Sequence, residues 1–216
     1  IARALTNYEG IGGQAQDDAE NDVGEGDSIN ASEALDFSNF GRNPDDDART
    51  VEMMMQGLDA QEAAGFDHAA FAAFINGLGL QYFQPAEFLQ LGASNRPGGR
   101  CAGRNSLPPR NLWNNLARTA RMLDAIRADL GSPIRILSGY RSERYNSCIG
   151  GASRSRHKTF RAIDWTCTSG SVSSWRAAAR RVRARNSDFA GGIGYYPSSR
   201  FIHIDTGRSN TDWEQR

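Results

Sequence analysis

The chain has 216 residues, of which 39% are hydrophobic, and it carries 25 acidic and 25 basic residues. No run approaches the roughly 18 apolar residues that a helix needs to cross a bilayer, so we expect no membrane span, and the length allows one domain with an extension. The zero net charge hides an asymmetry, because residues 1–62 hold 15 acidic and 3 basic residues and the rest holds 10 acidic and 22 basic.

The first part of the chain differs in composition from the rest. Residues 1–47 form an acidic extension with few large apolar side chains, and such a segment cannot bury enough surface to offset the entropy of ordering. Residues 48–107 read as a lead-in of helix and loop, with helical character over 48–76. We interpret its apolar side chains as packing against the main domain, residues 108–216.

The clearest helix follows two prolines. Asn111 is a plausible N-cap, and Gly131 ends the helix where a left-handed residue is favoured. A short strand is predicted over 134–137, which places the segment 138–141 at the end of that strand. The apolar positions at helical spacing are Leu112, Leu116, Ala120, Leu123, Ile126 and Leu130.

A second helix and two strands are predicted after residue 170. Ser171 can cap a helix that runs to Arg185, with Trp175 on its inner face. Its outer face carries arginines, which we interpret as solvated, with polyanion binding as the alternative. Residues 192–196 and 201–205 read as strands joined by a Pro-Ser-Ser turn.

Two of the three histidines lie in contexts that suit a metal. His157 precedes Asp164 by seven residues, and His203 lies on the last predicted strand. Two imidazoles and one carboxylate meet the ligand preference of a catalytic zinc. Asp205 faces the same side of its strand as His203, because residues two apart share a face. The spacing alone leaves open that these histidines are ordinary structural residues.

The residues around these candidates form a longer pattern. It comprises Ser-Gly-Tyr-Arg-Ser at 138–142, Tyr-Asn at 145–146 and Gly-Gly-Ala-x-x-Ser-x-His at 150–157, then Asp164 after six residues. A Gly-Gly-Ile-Gly-Tyr-Tyr-Pro run at 191–197 precedes Phe-x-His-x-Asp-x-Gly at 201–207. Together these motifs resemble the zinc D-Ala-D-Ala carboxypeptidases, peptidase family M15, in the branch that includes murein endopeptidases and phage endolysins.

The resemblance implies roles for five residues of this chain. Arg141 matches the arginine that stabilises the oxyanion, a task that suits a fixed guanidinium, although an ion pair that braces the loop is the alternative. Ser155 matches a serine near the metal that can hold substrate. The zinc ligands that the resemblance implies are His157, Asp164 and His203.

One position departs from the family pattern. Several members carry a carboxylate three residues before the last histidine as general base, and here that residue is Arg200, which cannot accept a proton. Asp205 is the available carboxylate, either as the base or as an acceptor that orients His203. Tyr196, which we also assign to substrate binding, or Tyr195 can assist as an acid or oxyanion donor.

These observations lead to one expectation of fold and function. We expect an α+β fold, a small antiparallel sheet with packed helices and a hedgehog/DD-peptidase-like zinc site on its open face. The expected activity is zinc-dependent cleavage of peptidoglycan stem or cross-link peptides in the cell envelope or on a phage particle, without specific nucleic-acid binding. The alternatives are a catalytically silent zinc-containing module that binds peptidoglycan and a structural part of a phage-like particle.

The three cysteines lack the spacing of a structural zinc site. We favour a disulfide between Cys101, in the loop before Pro108, and Cys148, just before the Gly150-Gly151 loop, and this bridge would suit an oxidising compartment. Cys167 follows Asp164 on the expected buried strand and is interpreted as a free thiol.

Overall fold

The structure, a computed structural model, describes residues 65–215. The predicted extension over 1–47 and the predicted helix before residue 65 lie outside this range. No helix within it combines the length and the apolar character needed to cross a membrane. The helices are α1 (His68–Asn76), α2 (Trp113–Leu130), α3 (Glu143–Ile149) and α4 (Val172–Arg185), and the strands are β1 (Ile134–Ser138), β2 (Ala162–Cys167), β3 (Gly192–Tyr196), β4 (Phe201–Asp205) and β5 (Thr211–Glu214).

The strands form one mixed sheet in the order β1-β2-β4-β3-β5. The first four are antiparallel neighbours, whereas β5 lies parallel to β3 at the edge. The α+β prediction is confirmed, and the strands over 192–196 and 201–205 have the predicted bounds. The parallel strand β5 was not part of the expected antiparallel sheet, because its four residues carry no alternating apolar pattern.

One face of the sheet is covered by helices. The buried stripe of α2 and the inner face of α4 join the same core as the isoleucines of β2, β3 and β4. Two of the predicted caps are confirmed: Gly131 closes α2 with φ 61°, and the Ser171 hydroxyl accepts from the Ser174 N–H at 3.2 Å. The other face of the sheet is thereby left to the polar residues of β2 and β4.

The start of α2 differs from the prediction. Asn111 is not the N-cap, because it lies inside a 3-10 turn over Arg110–Leu112 and α2 begins at Trp113. The indole N–H of Trp113 donates to the carbonyl of Pro108 at 2.9 Å, and the side chain is buried. Burial of this large aromatic residue therefore sets the start of the helix.

The described part of the lead-in segment belongs to the same core as the sheet. Phe71 and Ile75 of α1 and Phe83 and Phe88 after it are buried among residues of α2 and β1. The Asp67 carboxylate caps α1 by accepting from the Ala70 N–H at 2.8 Å. The division of the chain into three parts at residues 47 and 107 stays a prediction.

The loop that holds Cys101 is tied to helix α3 by a disulfide and to the segment before α3 by hydrogen bonds. Cys101 and Cys148 form the predicted disulfide, and Cys167 is a free, buried thiol. The Asn105 amide donates to the carbonyl of Tyr140, at 3.1 Å, and its oxygen accepts from the Ser142 N–H, at 2.8 Å. Helix α3 therefore begins at a braced point, immediately after the segment that carries Arg141.

Candidate metal centre

Three chain segments bring the candidate ligands together. Asp164 on β2 lies directly opposite His203 on β4 in the register of the sheet, so both side chains leave the same face. His157 lies in a 3-10 turn, Arg156–Thr159, that ends just before β2. Phe160 closes this turn with φ 57°, and the chain then enters the sheet. The turn thus places His157 beside the pair formed by the two strands.

The three ligand atoms form a nearly equilateral triangle. His157 Nε2 lies 3.2 Å from Asp164 Oδ1 and 3.2 Å from His203 Nδ1, and the last two atoms are 2.9 Å apart. In a tetrahedral zinc site with bonds of about 2.0–2.1 Å, neighbouring ligand atoms are separated by about 3.3 Å. All three side chains are buried. These are the described residues that form a group able to hold a metal ion.

Each histidine has one ring nitrogen that points away from the centre, and the hydrogen bond of that nitrogen determines whether the other nitrogen carries a lone pair. His157 Nδ1 lies 2.6 Å from the carbonyl of Gly139, which only accepts, so Nδ1 carries a hydrogen and Nε2 is unprotonated in the neutral ring. His203 Nε2 lies 3.2 Å from the Asp205 carboxylate, so the same argument leaves Nδ1 of His203 unprotonated when that ring is neutral. With both rings neutral, two imidazole lone pairs and one carboxylate oxygen converge on the centre. This donor set fits a zinc ion.

The electrostatics of the centre follow from burial and from the charges around it. Burial and the Arg141 charge lower the pKa of His157, so its ring is neutral. Burial opposes ionisation of Asp164, but its interactions with His157, Arg141 and His203 hold the pKa of its carboxyl well below the usual range. Burial would lower the pKa of His203, yet Asp164 and Asp205 raise it to about 10. A cation entering the centre therefore displaces one proton, from His203.

Arg141 lies on the far side of the Asp164 carboxylate. Its Nη2 forms an ion pair with Asp164 Oδ2, and its Nε donates to the Ser138 hydroxyl at 3.1 Å. Its backbone N–H donates to the His157 carbonyl at 3.2 Å, and its side chain is 1% exposed. These contacts are those of the brace that the sequence offered as the alternative, while the oxyanion role stays a prediction.

Asp205 lies on the opposite side of His203 from Asp164. Its Oδ2 faces His203 Nε2 and its Oδ1 accepts from the Gly192 N–H at 3.2 Å. Burial would raise the pKa of Asp205, but the hydrogen bond with His203 and the charge of that ring lower it. A carboxyl with a lowered pKa is a weak proton acceptor, so these contacts favour the orienting role over the general base.

The remaining predicted residues are one serine in the turn before β2 and two tyrosines on opposite faces of the sheet. Ser155 is buried at the start of the turn that carries His157. Tyr196 lies on the face of His203, where it stacks on Phe201 with ring centroids 4.1 Å apart. Tyr195 points to the opposite face, and the Arg176 guanidinium lies over its ring at 4.8 Å. The prediction that Tyr195 can assist at the site is therefore wrong.

One residue near the centre, Trp213, is not among those predicted from the sequence. The indole of Trp213 on β5 lies beside His203, with ring centroids 5.2 Å apart, and donates to the Tyr196 hydroxyl at 3.0 Å. A signal was present in β3, where Gly192 and Gly194 alternate on one face. Alternate glycines on a strand indicate that another group approaches closely there.

Comparison with known proteins gives matches over the part of the chain that carries the site. A family model described as Peptidase M15 matches residues 81–205. The peptidoglycan L,D-endopeptidase MepK of Escherichia coli K12 is 40% identical over 80 residues, which is 35% of this chain and 41% of the relative. The probable peptidoglycan L,D-endopeptidase MepK of Haemophilus influenzae is 34% identical over 94 residues, 40% of this chain and 47% of the relative. The chain thus spans less than half the length of the curated relatives it matches.

Proposed function

Because the chain belongs to the peptidase M15 family, we propose that it is a zinc-dependent peptidase that cleaves peptidoglycan peptides in the cell envelope. The observation that carries this proposal is the buried triangle of His157 Nε2, Asp164 Oδ1 and His203 Nδ1. The names of the relatives add support for the substrate, since they describe peptidoglycan L,D-endopeptidases. An L,D bond is therefore the first bond to test.

In this proposal the three ligands hold the ion and their neighbours hold the ligands. A bound zinc ion would lower the pKa of a coordinated water and polarise the carbonyl of the scissile bond. Arg141 occupies Oδ2 of Asp164 and so leaves Oδ1 directed at the centre. The Gly139 carbonyl and the Asp205 carboxylate fix the orientations of the two imidazoles. Such outer contacts make a metal site selective and tight.

The substrate-binding and oxyanion roles complete the proposal. We assign Ser155 and Tyr196 to the substrate side of the centre, as the family resemblance implies. Arg141 is the proposed donor to the developing oxyanion, because a preorganised guanidinium stabilises negative charge strongly in a buried site. Its ion pair with Asp164 keeps that guanidinium in one place.

A second candidate function rests on Arg200. This residue stands in the turn between β3 and β4, where several family members carry a carboxylate, and it is exposed. Arg200 cannot act as a general base, and Asp205 is already hydrogen-bonded to His203. If neither residue takes the proton, the chain is a zinc-containing module that binds peptidoglycan without cutting it. Neither the structure nor the relatives bear on the phage-particle interpretation, which stays a prediction.

Digestion of purified peptidoglycan separates these functions. We expect the full chain loaded with zinc to release muropeptides that mass spectrometry identifies by the bond lost, and a chelator to abolish the release. His203→Ala should be inactive, whereas His68→Ala, the same change at a histidine in α1, should remain active. Binding to sacculi without any new muropeptide would support the silent module.

A further inference from the structure

Strand β5 carries an aromatic side chain to the face of the sheet that holds the candidate metal centre. In the register of the sheet, Gly194 of β3 pairs with His203 on one side and with Trp213 on the other. Directly paired residues leave the same face of a sheet. Trp213 and His203 therefore occupy one row, with a glycine between them.

The glycine makes room for the indole. A Cβ atom built on Gly194 would lie 2.7 Å from the Trp213 ring, and one built on Gly192 would also lie 2.7 Å from it. Because neither glycine has a side chain, the indole packs directly against the backbone of β3. Its N–H donates to the hydroxyl of Tyr196, so the ring is held in its plane as well as from below.

The strand itself is held by ionic contacts from α4. Arg183 and Arg180 both pair with Asp212, at 2.7 and 2.5 Å, and Arg176 pairs with Glu214 at 3.4 Å. These arginines lie on the outer face of α4, which the sequence predicts to be solvated. A single exposed ion pair contributes little to stability, but here three pairs, each with at least one partly buried partner, hold one short edge strand. Their effect is to hold Trp213 against the site.

We propose that Trp213 is a positioning residue of the metal centre that acts through His203. The glycine row of β3 leaves one side of the His203 ring without a side-chain neighbour from that strand, and the indole fills this side. The same packing keeps water from the hydrogen bond between His203 and Asp205, whose side chains are both buried. The inference rests on the proposed function only in requiring that the centre binds zinc.

The consequence is a change in metal affinity. When the indole is removed, the imidazole gains rotational freedom and water reaches its partner carboxylate. The Nδ1 lone pair is then aimed at the centre for less of the time. Loss of groups that orient a ligand typically weakens metal binding by about 10–100-fold, and we expect Trp213→Ala to fall in this range.

Zinc affinity of the full chain, measured by competition with a chromophoric chelator, tests the inference. Trp213→Ala should bind zinc about 10–100-fold more weakly, and its Co²⁺-substituted form should show an altered visible spectrum. The matched control is Tyr195→Ala, which removes an aromatic ring from β3 on the opposite face and should leave zinc affinity unchanged. Thermal unfolding of the metal-free proteins separates lost stability from lost affinity.

A second variant tests the same contact without changing the tryptophan. Gly194→Ala adds one methyl group that collides with the indole and should weaken zinc binding by a similar factor. In the Trp213→Ala background the collision is absent, so the double variant should bind no more weakly than Trp213→Ala alone. If Trp213→Ala does not fold, Gly194→Ala alone decides the question.

The possible results separate this inference from the proposed function. Zinc affinity that is unchanged in both Trp213→Ala and Gly194→Ala overturns the inference and leaves the peptidase proposal intact. A native chain that binds zinc but cuts no muropeptide overturns the peptidase proposal alone. A native chain that takes up no zinc overturns both.

Discussion

The protonation of His203 ties metal binding to pH. Its ring is charged below a pKa of about 10 in the metal-free protein because of Asp164 and Asp205, and zinc requires the unprotonated Nδ1. Each bound ion must therefore release one proton. Raising the pH removes this competing proton, so zinc binding becomes stronger until the pH reaches the pKa of His203.

We accordingly expect the apparent zinc affinity to rise about tenfold per pH unit between pH 7 and 9. Chelator competition at several pH values, corrected for the protonation of the chelator, measures the slope. Calorimetry in buffers of different ionisation enthalpy should report release of about one proton per zinc near pH 7. A histidine with an ordinary pKa of about 6.5 would instead give a flat profile above pH 7.

Asp205 distinguishes an orienting carboxylate from a general base. Its hydrogen bond with His203 Nε2 and its lowered pKa favour the orienting role. We expect Asp205→Asn to weaken zinc binding by about 10–100-fold, with much of the activity restored by excess zinc. Zinc titration followed by muropeptide release measures both quantities. Lost turnover with normal zinc affinity would instead identify Asp205 as the base.

Arg141 couples stability to the centre. Removing one partner of a buried ion pair typically costs about 3–5 kcal/mol, because the other charge is left without compensation. We expect a loss of this size in the free energy of unfolding of metal-free Arg141→Ala, and a smaller one in Arg141→Lys. Chemical denaturation in the presence of a chelator measures it, and unchanged stability would contradict the brace.

The same variant also tests the oxyanion role of Arg141. The rate per folded, zinc-loaded molecule is the relevant quantity, because it removes the effect of stability. Losing one oxyanion donor typically lowers the rate by about 10²–10³-fold. A rate within a few-fold of the native protein would restrict Arg141 to the support of Asp164.

At the scale of the elements, long periodic segments and capped ends could be predicted from the sequence, whereas short elements could not. Helix α4 and strands β3 and β4 follow from periodicity and from Ser171. Helix α3 has only seven residues and begins directly after the Ser-Gly-Tyr-Arg-Ser motif, and no hydrophobic period marks it. Strand β5 is fixed by arginines that lie far from it in sequence, and local patterns carry no information on such contacts.

The disulfide joins the loop that holds Cys101 to helix α3, which holds Cys148. Cys101 and Cys148 are 47 residues apart, and closing a loop of this length stabilises a protein by about 4 kcal/mol in the chain-entropy model, with measured values typically about 2–4 kcal/mol. We expect Cys101→Ser/Cys148→Ser to lose about this much stability to chemical denaturation.

Reducing agent provides the control for the disulfide. It should destabilise the native protein to the level of the double serine variant and leave that variant unchanged. Cys167→Ser, which removes the free thiol, should keep the sensitivity to reducing agent. A native protein that is indifferent to reduction would contradict a structural role for the bridge.

The clustering of His157, Asp164 and His203 could be predicted because the family pattern includes all three residues, whereas the approach of Trp213 to them could not. The pairing of His203 with Asp164 needed only a strand assignment and a family pattern. The prediction that Tyr195 can assist at the site, by contrast, came from a motif that contains two adjacent tyrosines. Adjacent residues on a strand face opposite ways, and only the register shows which one reaches the site.

The packing of α1 bears on how much of the chain is required for folding. Every candidate site residue follows residue 138, so the motifs alone indicate that a chain starting near residue 80 suffices. The packing indicates otherwise, because Phe71 and Ile75 of α1 are each 1% exposed and Phe71 packs on Trp113 with ring centroids 5.0 Å apart. Burying a side chain of this kind contributes about 1.5–3 kcal/mol.

We therefore expect two shortened chains to behave differently. A chain that starts at residue 65 keeps α1 and should unfold at nearly the temperature of the full chain and retain its zinc affinity. A chain that starts at residue 80 exposes Trp113 and loses several kcal/mol, a large part of the typical stability of a domain, so it should unfold at a much lower temperature or aggregate. Thermal unfolding and zinc titration of the two chains measure this. Equal unfolding temperatures for the two chains would contradict this expectation. They would show that the burial of α1 adds little to the free energy of unfolding.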